Sequence, residues 1–542
     1  MEPFSLRIAL VGNPCVPTVP FDRAFLSRLR GLGFNAVQLN IAWGARPNDE
    51  PLNLEDILAP SGEPDERQRR WHAEISRRAR LARELGLRTI FHFGAPRTTD
   101  RLYACVNNPE AIDIETEQNS VQRPEIVAKY VSLVARLAET IPEVDDILVY
   151  TFDQEAWLAN EFGNGPTDAG VPLHRRAPAF VRALTEEWGR HRPDGRLWWE
   201  PWEISAGSIY AILPDLPTQH FGLMLHSNIA EVQKANPVDR WFRNMALLAR
   251  DRGIPVCGEV FLSGANEEVE PLQHAFAPGL VWEEVRRLRD LGIAGIKEYF
   301  GTRPDLPVDL DLEMAGLCFT HPDLGLDAAL ASLAARWNAP SLPEAMAAAH
   351  RAYALFPWDF SWRWRRLPAQ HRAWHTFDIA WVAPGSVAIS PSWLSTRRAI
   401  FMEVRDENDP HPWLVEDISL RCRAASAEMR RAAEAYRRAA AECGEAVFAA
   451  AADDFARFAA VTADEWLHAE ESLCALHIRR FAGNVPAHLV QRMADALRAD
   501  AENETHAFAV APDAPAPAAE HLAAFLADPV GWCQTHLLPV RP

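Results

Sequence analysis

Carboxylate side chains follow several short apolar segments in the first 300 residues. Six of them stand at the ends of four such segments: Asp153, Glu155, Glu200, Glu203, Glu259 and Glu298. Like charges directed into one cavity destabilise a fold unless one of them is protonated or the site performs chemistry. Their density therefore predicts a site for acid–base or nucleophilic catalysis.

Amide, imidazole and aromatic side chains stand near the ends of two of these segments and of three others, at Gln38, Asn40, His92, Trp199, His226 and Tyr299. Carboxylates and amides hydrogen-bond sugar hydroxyls, and flat rings cover the apolar C–H groups of a sugar. We therefore predict a carbohydrate substrate. The predicted substrate-binding set is Gln38, Asn40, His92, Asp153, Trp199, Glu200, Glu203, His226, Glu298 and Tyr299.

Eight short apolar segments must position these residues: LRIALVG, NAVQLNI, RTIFHFG, DILVYTF, RLWWEPW, QHFGLML, IPVCGEV and AGIKEYF. Their length and their β-branched and aromatic content predict strands, and the amphipathic stretches between them predict helices. The turns into the strands are short and contain glycine, at Gly33, Gly86, Gly253 and Gly292, whereas the loops after the strands are long. Barrel enzymes elaborate that face. We predict an α/β fold with a (β/α)8 TIM barrel over residues 1–306.

A doubly wound open sheet is the alternative fold. It usually carries a glycine-rich first turn, and VGNPCVP is not one.

Alanine, arginine and helical periodicity dominate after residue 307. We predict a mainly α-helical region over 307–512, with long helices at Leu414–Ala450, Ala451–Ala482 and Asn484–Ala501. A linker and tail fill 513–542. The aromatic and basic segment PWDFSWRWRRL at 357–367 is either an amphipathic docking helix or a sugar-stacking or partner surface.

Two motifs resemble the catalytic segments of clan A retaining glycoside hydrolases: FDQEAW after the fourth strand and CGEVF at the seventh. In that clan the acid/base glutamate follows strand four and the nucleophile ends strand seven. The resemblance implies that Glu155 is the acid/base and Glu259 the nucleophile, with carboxyls about 5 Å apart for double displacement. Gln154 stands where the clan usually has asparagine.

The run Asp153-Gln154-Glu155 is also similar to the D-x-E of chitinase-like glycosidases. That resemblance implies a substrate-assisted, N-acetylhexosaminidase-like mechanism, in which Glu155 is the acid and Asp153 orients the acetamido group of the substrate. A non-catalytic carbohydrate-binding barrel is the third possibility.

Other side chains could carry other chemistry. Lys297 could form a Schiff base, but a lysine among glutamates is more often ion-paired. His92, His220 and His226 could bind a metal, but hydrogen bonding or packing is the more frequent role of such histidines. We expect no cofactor and no metal site.

The charge pattern bears on partners and compartment. The 55 basic and 74 acidic residues give a formal charge of −19, which disfavours nucleic acid and anionic membrane surfaces. The eight cysteines form no CxxC pair, and the start lacks a signal-peptide pattern, so we expect reduced thiols in the cytoplasm. The sequence does not decide between a monomer and a homo-oligomer.

Overall fold

The computed structural model describes residues 4–12, 19–41, 49–96, 118–150, 166–201, 204, 206–226, 240–264, 272–306, 308–356, 412–507 and 518–536. The chain divides into two compact units. The barrel unit comprises Met1–Ser263, Val281–Pro307 and Leu312–Leu324, and the helical unit comprises Gly264–Leu280, Val308–Asp311 and Gly325–Pro542.

Eight parallel strands close into a barrel in sequence order. They are β1 (Leu6–Leu10), β2 (Ala36–Gln38), β3 (Arg88–Gly94), β4 (Asp146–Tyr150), β5 (Leu197–Glu200), β6 (Phe221–Leu225), β7 (Val256–Val260) and β8 (Gly295–Glu298). Each lies within one of the eight predicted segments, so the barrel prediction is confirmed. An open sheet is excluded, because β1 pairs with both β2 and β8.

Helices follow the strands in the barrel unit. They are α1 (Arg23–Gly31), α2 (Glu66–Glu84), α3 (Pro124–Thr140), α4 (Leu173–His191), α5 (Ala206–Ile212), α6 (Arg240–Asp251), α7 (Pro278–Asp290) and α8 (Leu310–Thr320). Gly33, Gly86, Gly253 and Gly292 all have positive φ, as their places at helix ends predict. The barrel unit reaches Leu324, beyond the predicted boundary at 306, because most of α8 belongs to it.

Apolar side chains fill the lower part of the barrel interior. Leu6, Ile8, Ala36, Ile90, Leu148, Trp198, Met224 and Cys257 form one buried cluster. Gly222 makes room for the Trp198 ring, which a Cβ at that position would overlap. Because side chains alternate along a strand, the residue two positions further along each strand also faces inward, nearer the carboxyl end.

Helices make up most of the described part of the helical unit, which confirms a helical region after the barrel. They are α9 (Leu326–Trp337), α10 (Leu342–Leu355), α11 (Pro412–Cys443), α12 (Ala446–Arg480), α13 (Ala487–Ala507), α14 (Ala518–Ala527) and α15 (Pro529–His536). The prediction of an unbroken helix over Leu414–Ala450 was wrong. Gly444 takes a φ of 77° and ends α11.

The segment that follows β7 also belongs to the helical unit. The Asp454 carboxylate on α12 accepts the backbone N–H groups of Gln273 and His274 at 2.9 and 2.8 Å. Asp311 accepts the N–H of Ala277 at 2.8 Å. Residues 357–367 lie outside the described residues. Within the described helices, no stretch is both long and apolar enough to cross a membrane.

Candidate active site

A ring of buried polar side chains lies at the carboxyl end of the barrel, one layer above the apolar cluster. We call it the barrel-mouth ring, and its members are Gln38, His92, Glu200, His226, Glu259 and Lys297. Each stands two residues beyond an inward-facing residue of its strand, which for Lys297 is Gly295, so each faces inward by the alternation of a strand. Five of its six members belong to the site predicted from the sequence, all but Lys297, and the closed barrel brings them together.

Glu259 and Lys297 form an ion pair inside this ring. The two residues are register partners on β7 and β8, and their side chains are 0% and 1% exposed. Burial alone lowers the pKa of Lys297, but the charges of Glu259 and then Glu200 outweigh it and raise the pKa above its usual value. Lys297 is therefore the ion-paired lysine that its acidic surroundings predicted. Among the described residues, Oε2 of Glu259 has no hydrogen-bond partner.

Gln38 and His92 form a neutral hydrogen-bonded pair on β2 and β3. The Gln38 Nε2 atom lies 2.7 Å from the carbonyl oxygen of Asn40 and 3.1 Å from Nδ1 of His92. Burial, and then the positive charge of Lys297, lower the pKa of His92 well below its usual value. The imidazole is therefore neutral, and its 3.8 Å approach to Glu200 is not an ion pair.

The side chains of Asn40 and Glu298 form hydrogen bonds with backbone groups. Asn40 accepts the N–H of His92 at 3.0 Å and donates to the carbonyls of Pro51 and His92 at 2.8 and 2.7 Å. Glu298 accepts the N–H groups of Leu262, Phe300 and Gly301. Both side chains therefore help to fix the loops around the mouth.

The side chains of Trp199 and Tyr299 lie on different sides of the barrel wall. Trp199 alternates with Trp198 and Glu200, so it faces the helices and not the barrel interior, and it is fully buried. Tyr299 packs edge-on against Phe261 with ring centroids 5.2 Å apart and is 7% exposed. The structure thus places Tyr299 at the mouth and Trp199 away from the ring.

Three predicted site residues, Asp153, Glu155 and Glu203, lie outside the described residues. His220 precedes β6 at the amino end of the barrel, whereas His226 follows the strand at the carboxyl end, so the two histidines are far apart. Within the described chain, no group of three His, Cys, Asp or Glu residues is arranged to hold a metal ion.

Sequence reasoning left two inward residues out of the predicted site. Lys297 stands two residues after Gly295, whose position between Leu6 and Cys257 marks the barrel interior. Tyr150 stands two residues after Leu148 and packs edge-on against His92 at 5.5 Å. Strand alternation is the signal that would have identified both.

Comparison with known proteins shows similarity in fold and not in sequence. No protein-family pattern and no curated protein matches the chain. A solved GH138 enzyme targeting pectin rhamnogalacturonan II is similar with a TM-score of 0.62 at 12% identity, over 98% of this chain and 84% of that one.

Other solved glycoside hydrolases are less similar. CpGH84B has a TM-score of 0.42 over 97% of this chain and 77% of its own, at 12% identity. PbGH5A, a family 5 enzyme from Prevotella bryantii, has a TM-score of 0.38 over 59% of this chain and 99% of its own, also at 12% identity. At this identity the likeness establishes the fold, and it rests on the GH138 structure.

Proposed function

We propose that the chain is a glycoside hydrolase that acts with retention, with Glu155 as acid/base and Glu259 as nucleophile. The observation that carries the proposal is the Glu259 carboxylate, buried at the end of β7 and directed into the mouth. One of its oxygens is paired with Lys297, and Oε2 has no hydrogen-bond partner among the described residues. The fold likeness to an enzyme that targets a pectin polysaccharide supports carbohydrate as the substrate class.

The reaction proceeds in two displacements. In the first, Oε2 of Glu259 bonds to the anomeric carbon while the glycosidic C–O bond breaks, and Glu155 gives its proton to the leaving oxygen. In the second, Glu155 takes a proton from water, the water oxygen bonds to the anomeric carbon, and Glu259 leaves. The Lys297 ammonium supports this role because it keeps a positive charge beside the Glu259 carboxylate.

The remaining ring members, together with Tyr299, hold the sugar. Gln38 presents a buried amide oxygen, Oε1, that has no hydrogen-bond partner in the described part of the chain. Glu200, His226 and Tyr299 line the same mouth. Asn40, Trp199 and Glu298 take no part in sugar binding in this proposal, because their side chains are bonded to backbone or face the helices.

A panel of 4-nitrophenyl glycosides tests the proposal. Glu259→Gln is expected to lower kcat at least about a hundredfold for every leaving group, and Glu155→Gln to do so most for poor leaving groups. Glu84→Gln, at an exposed position on α2, is the matched control. NMR of the first-released sugar should show the anomer of the substrate.

Three results would count against it. Sugar binding without turnover of any glycoside supports the non-catalytic barrel. An active Glu259→Gln variant removes the nucleophile assignment, and turnover confined to N-acetylhexosaminides then favours Asp153 with a substrate acetamido group. Release of the opposite anomer excludes retention.

A further inference from the structure

We propose that Gln38 is a positioning residue that holds His92 as the neutral tautomer with its hydrogen on Nε2, so that His92 meets the sugar as a hydrogen-bond donor. The tautomer stands on the geometry of β2 and β3 alone. Its role toward a sugar rests on the function proposed above.

The backbone carbonyl of Asn40 fixes the orientation of the Gln38 amide. It lies 2.7 Å from the terminal amide group of Gln38. A carbonyl oxygen can only accept, so the amide group that faces it must be NH2. The opposite orientation would set two acceptor oxygens against each other in a fully buried place, which is strongly unfavourable.

The oriented amide then fixes the hydrogen of His92. The Nε2 atom of Gln38 also lies 3.1 Å from Nδ1 of the imidazole. An NH2 group has no lone pair to accept with, so Nδ1 must present its own lone pair. A neutral imidazole carries one hydrogen, and that hydrogen is therefore on Nε2.

The same contact opposes protonation of His92. An imidazolium would turn an N–H at Nδ1 against the N–H of Gln38. Among the described residues, Lys297 on β8, Glu200 on β5 at 3.8 Å and the Tyr150 ring on β4 at 5.5 Å also face the imidazole. Burial, and then Lys297, lower the pKa of His92, in the same direction as the Gln38 contact.

This arrangement places a hydrogen-bond donor beside an acceptor on the β3 side of the mouth. His92 offers an N–H toward the Glu200 carboxylate, and that carboxylate can only accept. A hydroxyl is a sugar group that can accept from an imidazole N–H and donate to a carboxylate at once. The positioning by Gln38 thus selects a hydroxyl at this subsite.

Nitrogen NMR of protein labelled with ¹⁵N-histidine tests the tautomer directly. His92 is assigned by the signal that disappears in His92→Gln. The expected pattern in the wild type is a protonated Nε2 and an unprotonated Nδ1 from about pH 6 to 8, the range in which an unperturbed histidine titrates. An Nδ1–H form or an imidazolium in this range overturns the proposal.

Two variants test the role of Gln38. Gln38→Glu places a carboxylate against Nδ1 and is expected to move a hydrogen onto that nitrogen, which adds an ionisation to the pH profile of kcat/KM. Gln38→Leu removes the hydrogen-bond donor without adding a charge, so it serves as the test if Gln38→Glu fails to fold. It is expected to lower kcat/KM about tenfold. Gln68→Glu, in the capping box of α2, is the matched control with the wild-type nitrogen pattern.

The outcomes separate the two proposals. An unchanged nitrogen pattern in both Gln38 variants overturns the positioning role, whatever the activity. The expected pattern in a protein that hydrolyses no glycoside leaves the tautomer standing and refutes the proposed function. Turnover of glycosides by a protein with Nδ1–H refutes the tautomer alone.

Discussion

Replacing Lys297 with methionine tests the central ion pair of the ring. The substitution keeps an unbranched side chain, one heavy atom shorter, and removes the ammonium group. Glu259 is then left as a buried carboxylate, 0% exposed, without its counter-ion. Removal of one partner from a buried ion pair costs about 3–5 kcal/mol, because the charge that remains is uncompensated. We therefore expect Lys297→Met to lower the free energy of unfolding of the barrel by about that amount.

A double-mutant cycle separates the charge from the packing. Adding Glu259→Gln to Lys297→Met removes the stranded charge, so the double variant should regain most of the lost stability. Urea unfolding of the four proteins measures this. The reasoning is refuted if Lys297→Met unfolds within about 1 kcal/mol of the wild type, or if the double variant is no more stable than Lys297→Met.

The pH dependence gives a second check on the same pair. The folded-state pKa of Lys297 is raised, so the stability that it contributes is fully present below its unfolded value of about 10.4 and is lost as pH rises through the folded value. The stability difference between the wild type and Lys297→Met should therefore narrow at high pH. A difference that widens above about pH 10.4 would contradict the assignment.

Three further predictions concern stability and thiols. Glu298→Gln should destabilise the barrel by about 1–3 kcal/mol in urea unfolding, because three buried backbone N–H groups share its carboxylate. A loss of stability no larger than that of Glu84→Gln would contradict this role. Gly222→Ala should lower stability by about 1–3 kcal/mol, since the added methyl overlaps the Trp198 ring, and a neutral effect would contradict this packing. Thiol titration of unreduced protein should find Cys257 inert while folded, because burial raises its pKa, and nearly all eight cysteines reactive once denatured; several disulfides would refute a reducing compartment.

The strands and the closed barrel could be predicted because the signals for them lie in the local sequence. Each strand is a short apolar run, and glycines such as Gly33 and Gly86 mark helix ends through a backbone conformation that other residues disfavour. Gly444 also marks a helix end, but it lies within a long alanine-rich pattern, and that pattern led to the prediction of one unbroken helix.

The roles of individual site residues were harder to predict, because strand-end position does not tell which face a side chain takes or whether its polar atoms are already bonded. Trp199 and Glu298 stand one residue away from inward positions and so fall on the opposite face of the sheet. Asn40 shares the inward parity of Gln38, yet its oxygen and both amide hydrogens are bonded to backbone groups that come from distant parts of the sequence. Such saturation appears only when the chain has folded.

The distribution of charge around the ring also supports the division of labour between the two proposed catalytic glutamates. Besides the neutral His92, the ring contains two carboxyl groups, those of Glu200 and Glu259, and one ammonium group, that of Lys297. A further carboxyl at this mouth, as proposed for Glu155, would make three carboxyl groups beside one ammonium, and close like charges favour a protonated member of such a group. A group that must donate a proton to a leaving oxygen benefits from that setting, whereas Glu259 has the Lys297 ammonium beside it. A neutral Gln38–His92 pair lets β2 and β3 bind hydroxyls without disturbing that balance.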